Sequence, residues 1–227
     1  MVMISHDKKF VFLKTRKTGG TSFEMLLEPW CAPPGHIVTE AAKELVTDYG
    51  IVGARLNKLK EKPKWRNHIG EAPVAEFLGA EKWAAYCKLT SVRNPFSRAV
   101  SQFYWQFVWQ KRDVPQDLVT NQALFHNYIF SNMFKSDKHI AHIKDEFILD
   151  DAIRLEHIDD DLARIGARLA LPLSREALPR TKENAGAKPD FDRLALFTPE
   201  IEAEIRRKEA WVFEHWDYSP KASDAYL

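Results

Sequence analysis

Cysteine is scarce in this chain: among 227 residues only Cys31 and Cys87 carry thiols. Two thiols make neither a disulfide framework nor a structural zinc site, and they point to a reducing compartment. Long apolar runs are missing as well. The run near the start, Phe10-Val11-Phe12-Leu13, is bracketed by Lys8-Lys9 and Lys14. It falls short of a signal-peptide core of roughly 7–15 apolar residues, and no window reaches the ~20 that span a bilayer. A cytoplasmic protein without a transmembrane segment is expected. Nor does one sign of charge dominate: 33 Lys and Arg face 32 Asp and Glu, for a net charge of +1. That balance excludes an acidic disordered tail or a histone-like basic protein and gives no reason to expect a nucleic-acid partner.

What is present suits a packed domain. Hydrophobic residues make up 45% and aromatics 12%, enough for a core without staples. No repeat, low-complexity tract or linker interrupts the chain, so residues 1–227 are expected to form a single α/β domain. Residues 10–14 read as a short buried strand, and Phe23 to Leu27 as a helix ending before Pro29. A polar helix is expected from Thr39 to about Asp48. Residues 50–70 are irregular and basic, with Arg55, Lys58, Lys60, Lys62, Lys64 and Arg66 against Glu61 alone, and read as a mobile insertion. Helices follow over 73–78 and 81–86, then a second core strand over 87–92. Asn94-Pro95 supplies an N-cap and a first-turn proline for a long helix. Phe96, Val100, Phe103 and Phe107 form its apolar stripe. A helix over 118–130, a strand within 147–155 and a helix over 159–169 come next. Residues 172–192, with three prolines and Gly186, read as a long loop. Thr198-Pro199-Glu200 opens a last helix that runs to about Trp211.

Two segments carry chemistry. The first is strand 10–14, then Lys17-Thr18-Gly19-Gly20-Thr21-Ser22, then a helix. Two glycines let the backbone curl around an anion, and the helix N-terminus adds partial positive charge. Thr18, Thr21 and Ser22 add hydroxyls, and Lys17 a full charge. The loop is a phosphate cradle but not a Walker A loop, because no Gly-Lys-Ser/Thr closes it. The second segment is Val92-Arg93-Asn94-Pro95-Phe96-Ser97-Arg98-Ala99-Val100-Ser101. Arg93 stands at the carboxyl end of the second strand, where α/β proteins place ligands. Relative to Phe96, Ser97 and Ser101 lie at about 100° and 140° around the helix, off the apolar stripe. Arg93 and Ser101 suit one dianionic phosphate, which the planar guanidinium grips through two oxygens.

In this order, the two segments resemble the sulfotransferase family, whose members use 3′-phosphoadenosine 5′-phosphosulfate (PAPS). Lys17 to Ser22 is similar to the family's 5′-phosphosulfate loop, with Arg16 where the family often has proline. Arg93 and Ser101 are similar to its 3′-phosphate site. Asn67-His68, the Trp-Ala-Ala-Tyr run at 83–86, Leu178-Pro179-Arg180 with Asn184, Thr198-Pro199-Glu200 and Trp216-Asp217-Tyr218 resemble the carbohydrate-type branch, which includes heparan sulfate 2-O-sulfotransferases and bacterial relatives.

The resemblance implies a P-loop-like fold, with a central, mostly parallel sheet and helices on both faces. It implies PAPS as co-substrate, no metal, and a glycan or small hydroxyl-bearing metabolite as acceptor. Lys17 would stabilise the departing oxygen and His68 would act as general base, with His36 in reserve. Arg180 and Lys182, in the 172–192 loop, would reach the donor phosphates as a lid. His139 and His142, near Asp137 and Asp145, are expected to be solvated rather than metal-binding. Tyr104, Trp105 and Trp109 are expected in the core before a sugar platform. Two alternatives stand beside this reading: a P-loop nucleotide kinase, disfavoured by the missing Walker A lysine, and a non-catalytic nucleotide-binding protein on the same fold.

Overall fold

The computed structural model describes residues 2–55, 63–179, 181 and 189–226. In chain order the elements are β1 (Val2–Ser5), β2 (Phe10–Leu13), α1 (Gly20–Leu27), β3 (Leu45–Thr47), β4 (Gly50–Val52), α2 (Ala72–Ala85), β5 (Cys87–Val92), α3 (Pro95–Gln110), α4 (Leu118–Phe130) and α5 (Lys138–Ala141). They continue with β6 (His142–Ile143), β7 (Glu146–Phe147), β8 (Asp151–Arg154), α6 (Ile158–Leu169), α7 (Pro199–Lys208) and α8 (Ala210–His215). They divide into two compact units, one of residues 1–92 and 139–181, the other of 93–138 and 182–227. No described helix is long and apolar enough to cross a membrane.

The first unit is built on a six-stranded sheet of order β3-β4-β1-β2-β5-β8. The sheet is mixed, which corrects the mostly parallel expectation. Only β2, β5 and β8 run parallel, whereas β1 pairs antiparallel with both β2 and β4, and β3 with β4. The antiparallel half comes from two hairpins. One joins β1 to β2, and β1 is a four-residue strand with three apolar residues that the sequence pattern did not announce. The other replaces the polar helix expected over 39–48, because β-formers at 45–47 and 51–52 flank a tight turn. Gly50 is required there, since a Cβ would lie 1.8 Å from the Ile4 carbonyl oxygen.

Alternation along the strands decides which side chains meet the helices. Met3, Phe10, Phe12, Leu89 and Ile153 share one core with Phe23 and Leu27 of α1 and Leu162 and Ile165 of α6. The opposite-facing Ile4, Val11 and Leu13 are also fully buried, so β2 reads as a continuous apolar run. Part of the expected 50–70 insertion is built into this unit. Residues 50–52 are β4, and Arg55, Trp65 and Ile69 are buried; residues 56–62 lie outside the described residues. The two helices expected over 73–86 form α2, broken at Gly79, where φ is 73° and ψ 162°.

The second unit is helical. Asn94 caps α3 by accepting from the amides of Phe96 and Ser97, and Thr198 caps α7 from Ile201. Phe96, Phe103, Phe107 and Phe125 pack with Tyr104, Tyr128, Leu196, Ile201 and Ile205. Buried charges are grouped here. The Arg98 guanidinium, 3% exposed, lies 2.6 Å from Glu209 and 3.4 Å from Asp137. Burial pushes the Glu209 carboxyl up to about 7; the Arg98 cation opposes that rise and Asp137 adds to it.

A carboxyl raised in the folded state binds its proton more tightly there than in the unfolded chain. Its stabilising contribution is complete below the unfolded value of 4.5 and is lost as pH rises through about 7. Chemical denaturation across this window is expected to show stability falling with rising pH, and Glu209→Gln is expected to flatten that part of the profile. A profile identical in the variant would exclude Glu209 as the titrating group.

Candidate active site

The Gly-rich loop begins where β2 ends. Because β2, β5 and β8 are parallel, the loop emerges at the carboxyl ends of all three strands. It is fastened to β5 by hydroxyls. Thr15 Oγ1 donates to the Ser91 carbonyl oxygen, Thr15 and Thr18 hydroxyls lie 2.9 Å apart, and Thr18 Oγ1 lies 2.8 Å from Ser91 Oγ. Thr15, Thr18 and Ser91 are all buried. The Thr18 hydroxyl therefore faces the sheet, which leaves its peptide group as its route to a ligand.

On either side of Thr18 the backbone turns tightly. Lys17 has φ 62° and Gly19 φ 73°. The left-handed region is uncommon for a side chain like that of Lys17. Gly19 is the N-cap of α1 and brings no capping side chain to the first-turn amides, the arrangement that suits an incoming anion. A Cβ at Gly20 would meet Lys14 Cγ at 2.8 Å, so this glycine is needed for the loop to lie on the lysine stem. Thr21 Oγ1 accepts from Lys14 Nζ at 2.9 Å. Ser22 Oγ lies 3.0 Å from Thr181 Oγ1, which brings the 172–192 segment back to the loop at that residue. Arg180 and Lys182 themselves lie outside the described residues.

His68 belongs to the same unit. Its Nδ1 is 3.1 Å from the Lys14 carbonyl oxygen. A carbonyl only accepts, so Nδ1 carries the hydrogen, and in the neutral ring Nε2 keeps its lone pair. The segment is anchored just upstream by Trp65, 1% exposed. Its amide donates to Glu44, its carbonyl accepts from Ala54 at 2.9 Å, and its ring meets Phe77 edge-on at 5.0 Å. His68 holds φ 54°. With Lys17 it belongs to the few non-glycine residues with positive φ that lie neither at a helix C-cap nor in a β-hairpin turn.

In the second unit, Arg93 precedes the cap of α3. Its Nε donates to Ser97 Oγ at 2.8 Å, which fixes the plane of the guanidinium. Ser101 is half-buried, one turn further along α3. Tyr226 belongs to this surrounding. Burial pushes its phenol up to about 12, against the pull of Arg93 and Arg193.

A model of the sulfotransferase family matches residues 1–146. The chain belongs to the sulfotransferase family. No curated protein and no solved structure matches it. The matched span contains the Gly-rich loop, His68, Arg93 and Ser101.

The structure also separates other sequence candidates from the loop. His36 Nε2 lies 2.6 Å from Glu28 Oε1, past the end of α1, and the same glutamate pairs with Arg55. Arg55 is thus a buried ion-pair partner and not part of an exposed basic patch. Tyr104 is buried, whereas Trp109 is 75% exposed. Among the described residues no group of three or more His, Cys, Asp or Glu is placed to hold a metal ion.

Three residues around the Gly-rich loop were missed in the sequence: Lys14, Ser91 and Thr181. Lys14 had a legible signal, a lysine ending an apolar strand with Glu24 inside the next apolar run, because two charges buried so close must pair. Ser91 and Thr181 had none, since each is brought to the loop by tertiary structure.

The hydroxyl network makes a testable demand. Thr18→Val keeps the shape of the side chain but leaves Ser91 Oγ without that partner. A loss of about 1–3 kcal/mol is expected in urea unfolding, the scale for a buried polar group losing its bond. An unchanged midpoint would mean that the network does not hold the loop.

Proposed function

We propose that this sulfotransferase moves a sulfuryl group from PAPS to a hydroxyl of a carbohydrate or small metabolite. The observation that carries the reading is the pairing of the Gly-rich loop with His68 through one residue, Lys14, at the carboxyl ends of three parallel strands. Sulfuryl transfer needs both parts: a cradle for the donor's anionic end and a base for the acceptor hydroxyl.

In this reading the 5′-phosphosulfate lies on Lys17, Thr18, Gly19, Gly20, Thr21 and Ser22. The 3′-phosphate is held by Arg93 and Ser101, and Arg180 and Lys182 reach the donor from the 172–192 segment. The glycines fit the donor: a side chain at position 20 would collide with Lys14, so the backbone itself lines the cradle. The acceptor oxygen attacks sulfur and passes its proton to His68 Nε2. As the new S–O bond forms, the bond from sulfur to the bridging oxygen breaks. The charge growing on that oxygen is met by Lys17 and the loop amides. The products are the sulfated acceptor, 3′-phosphoadenosine 5′-phosphate and a proton on His68 that leaves to solvent.

The decisive experiment is incubation with radiolabelled PAPS and fractionated extract, with identification of what becomes labelled. No transfer to any fraction, alongside intact donor binding, would favour a non-catalytic nucleotide-binding protein.

Two quantitative expectations follow from the residue roles. The bisphosphate product is expected to raise the melting temperature far more than AMP. At about 100 Kd it adds about 2.7 kcal/mol, and Arg93→Ala is expected to abolish the difference between the two nucleotides. Equal shifts from both nucleotides in the wild-type protein would remove Arg93 and Ser101 from the donor site. His68→Ala is expected to lower kcat by roughly 10²–10⁴-fold, remove the acidic limb of the pH–rate profile and leave bisphosphate affinity near wild type. Retention of normal turnover would end the assignment of His68 as the base.

A further inference from the structure

Lys14 has no part in the chemistry set out above, yet three features of the site meet on it. It directly follows β2 and is 8% exposed. Its ammonium donates to Thr21 Oγ1 at 2.9 Å and to Glu24 Oε2 at 2.8 Å. Its stem passes under Gly20, close enough that a Cβ there would collide with it. Its carbonyl oxygen accepts from His68 Nδ1.

A lysine that served only to neutralise a buried glutamate would be a poor structural solution. A buried ion pair roughly breaks even against apolar side chains of the same volume. Here the pair is also incompletely satisfied, because Glu24 is fully buried and its Oε1 has no hydrogen-bond partner among the described residues. What the ammonium does that an apolar side chain cannot is bind the Thr21 hydroxyl. An ammonium has only hydrogens to offer, so Thr21 Oγ1 is the acceptor. The single hydrogen of that hydroxyl must then point away from Lys14. A hydroxyl that accepts from a cation is also polarised into a stronger donor. Thr21 stands in the first turn of α1, beside the glycines that line the cradle.

We infer that Lys14 is a positioning residue of the donor site. It orients and strengthens Thr21 as a hydrogen-bond donor to the 5′-phosphosulfate, while its peptide oxygen sets the tautomer of His68. Glu24 supplies the counter-charge that keeps the ammonium in place before the anion arrives. The inference rests on the sulfotransferase reading of the loop.

The test is calorimetric titration of 3′-phosphoadenosine 5′-phosphate into the wild-type chain and four variants. Lys14→Met alone leaves Glu24 buried without its cation and is expected to compromise folding. The informative variant is therefore Lys14→Met/Glu24→Gln, which removes both charges at similar volume. It is expected to bind the bisphosphate roughly 10- to 100-fold more weakly, the scale of one charge-assisted hydrogen bond. Thr21→Val is expected to lose a comparable factor and Thr21→Ser to restore it. In the triple variant Lys14→Met/Glu24→Gln/Thr21→Val the losses are expected to coincide rather than multiply, because all of them remove one pathway. A purely structural Lys14 would give multiplying losses or wild-type affinity in the folded double variant, and either result overturns the inference. Wild-type affinity in Thr21→Val overturns it as well, without needing the double variant to fold. A wild-type chain that binds no bisphosphate overturns the donor reading itself and this inference with it.

Discussion

The parallel pairing of β2 with β5 is the constraint on which the candidate site depends. The register from Phe10 opposite Cys87 to Leu13 opposite Thr90 brings Ser91 beside Thr15 and Thr18. Shifting that register by one residue would turn every β2 side chain to the other face. Phe10 and Phe12 would leave the core they share with α1 and α6, and the Thr15–Thr18–Ser91 hydroxyls would no longer meet. Core packing and loop geometry therefore select the same register. The loop needs little rigidity of its own, because the sheet supplies it.

Charge buried near the sheet and in the helices has a different logic from charge at the surface. The first unit holds Lys14 with Glu24, and Arg55 and His36 with Glu28. The second holds Arg98 with Asp137 and Glu209. Each group contains a glutamate or aspartate with almost no solvent contact. Removing one partner from such a group leaves an uncompensated charge, so these groups tie distant segments together with high specificity and little net gain in stability. The Glu28 group joins the end of α1 to the residues that follow β4. The Arg98 group joins α3 to the start of α8 and to Asp137.

How much of this was legible in sequence depended on the range of the interaction. Where a cap or proline marks the start, local signals gave the helix almost to the residue: Asn94-Pro95 opens α3, the expected 118–130 helix is α4, and Thr198-Pro199 opens α7, whereas the uncapped polar helix expected over 39–48 is a hairpin. Gly79 split α2 where the pattern did. The Gly-rich loop was legible because two adjacent glycines between an apolar strand and a helix mark a tight turn from composition alone. The antiparallel half of the sheet was not, because β1 is a four-residue strand without alternation and β3 is only three residues long. The described flanks of residues 50–70, with Arg55, Trp65 and Ile69 buried, were hidden for a related reason. A basic segment looks solvated until its arginine meets a buried glutamate, and Glu28 lies far away in sequence. The placement of His68 was legible only through family resemblance. Its bond to the Lys14 peptide oxygen links positions 54 apart, beyond the reach of any local pattern.

The first unit is discontinuous: its chain leaves after Val92 and returns at residue 139. That division bears on the order in which the protein is built. Strands β1, β2 and β5, and with them the hydroxyl anchor of the loop, come from one uninterrupted stretch of early chain. Strand β8 joins by contacts such as Lys88 to Asp150, which span 62 positions. Closing so long a loop costs entropy before any contact rewards it. On a ribosome, the anchored Gly-rich loop can therefore form while β5 still presents an open edge. That edge stays available for mispairing until residues 151–154 emerge, so the nascent chain is most prone to aggregation during synthesis of the helices between them.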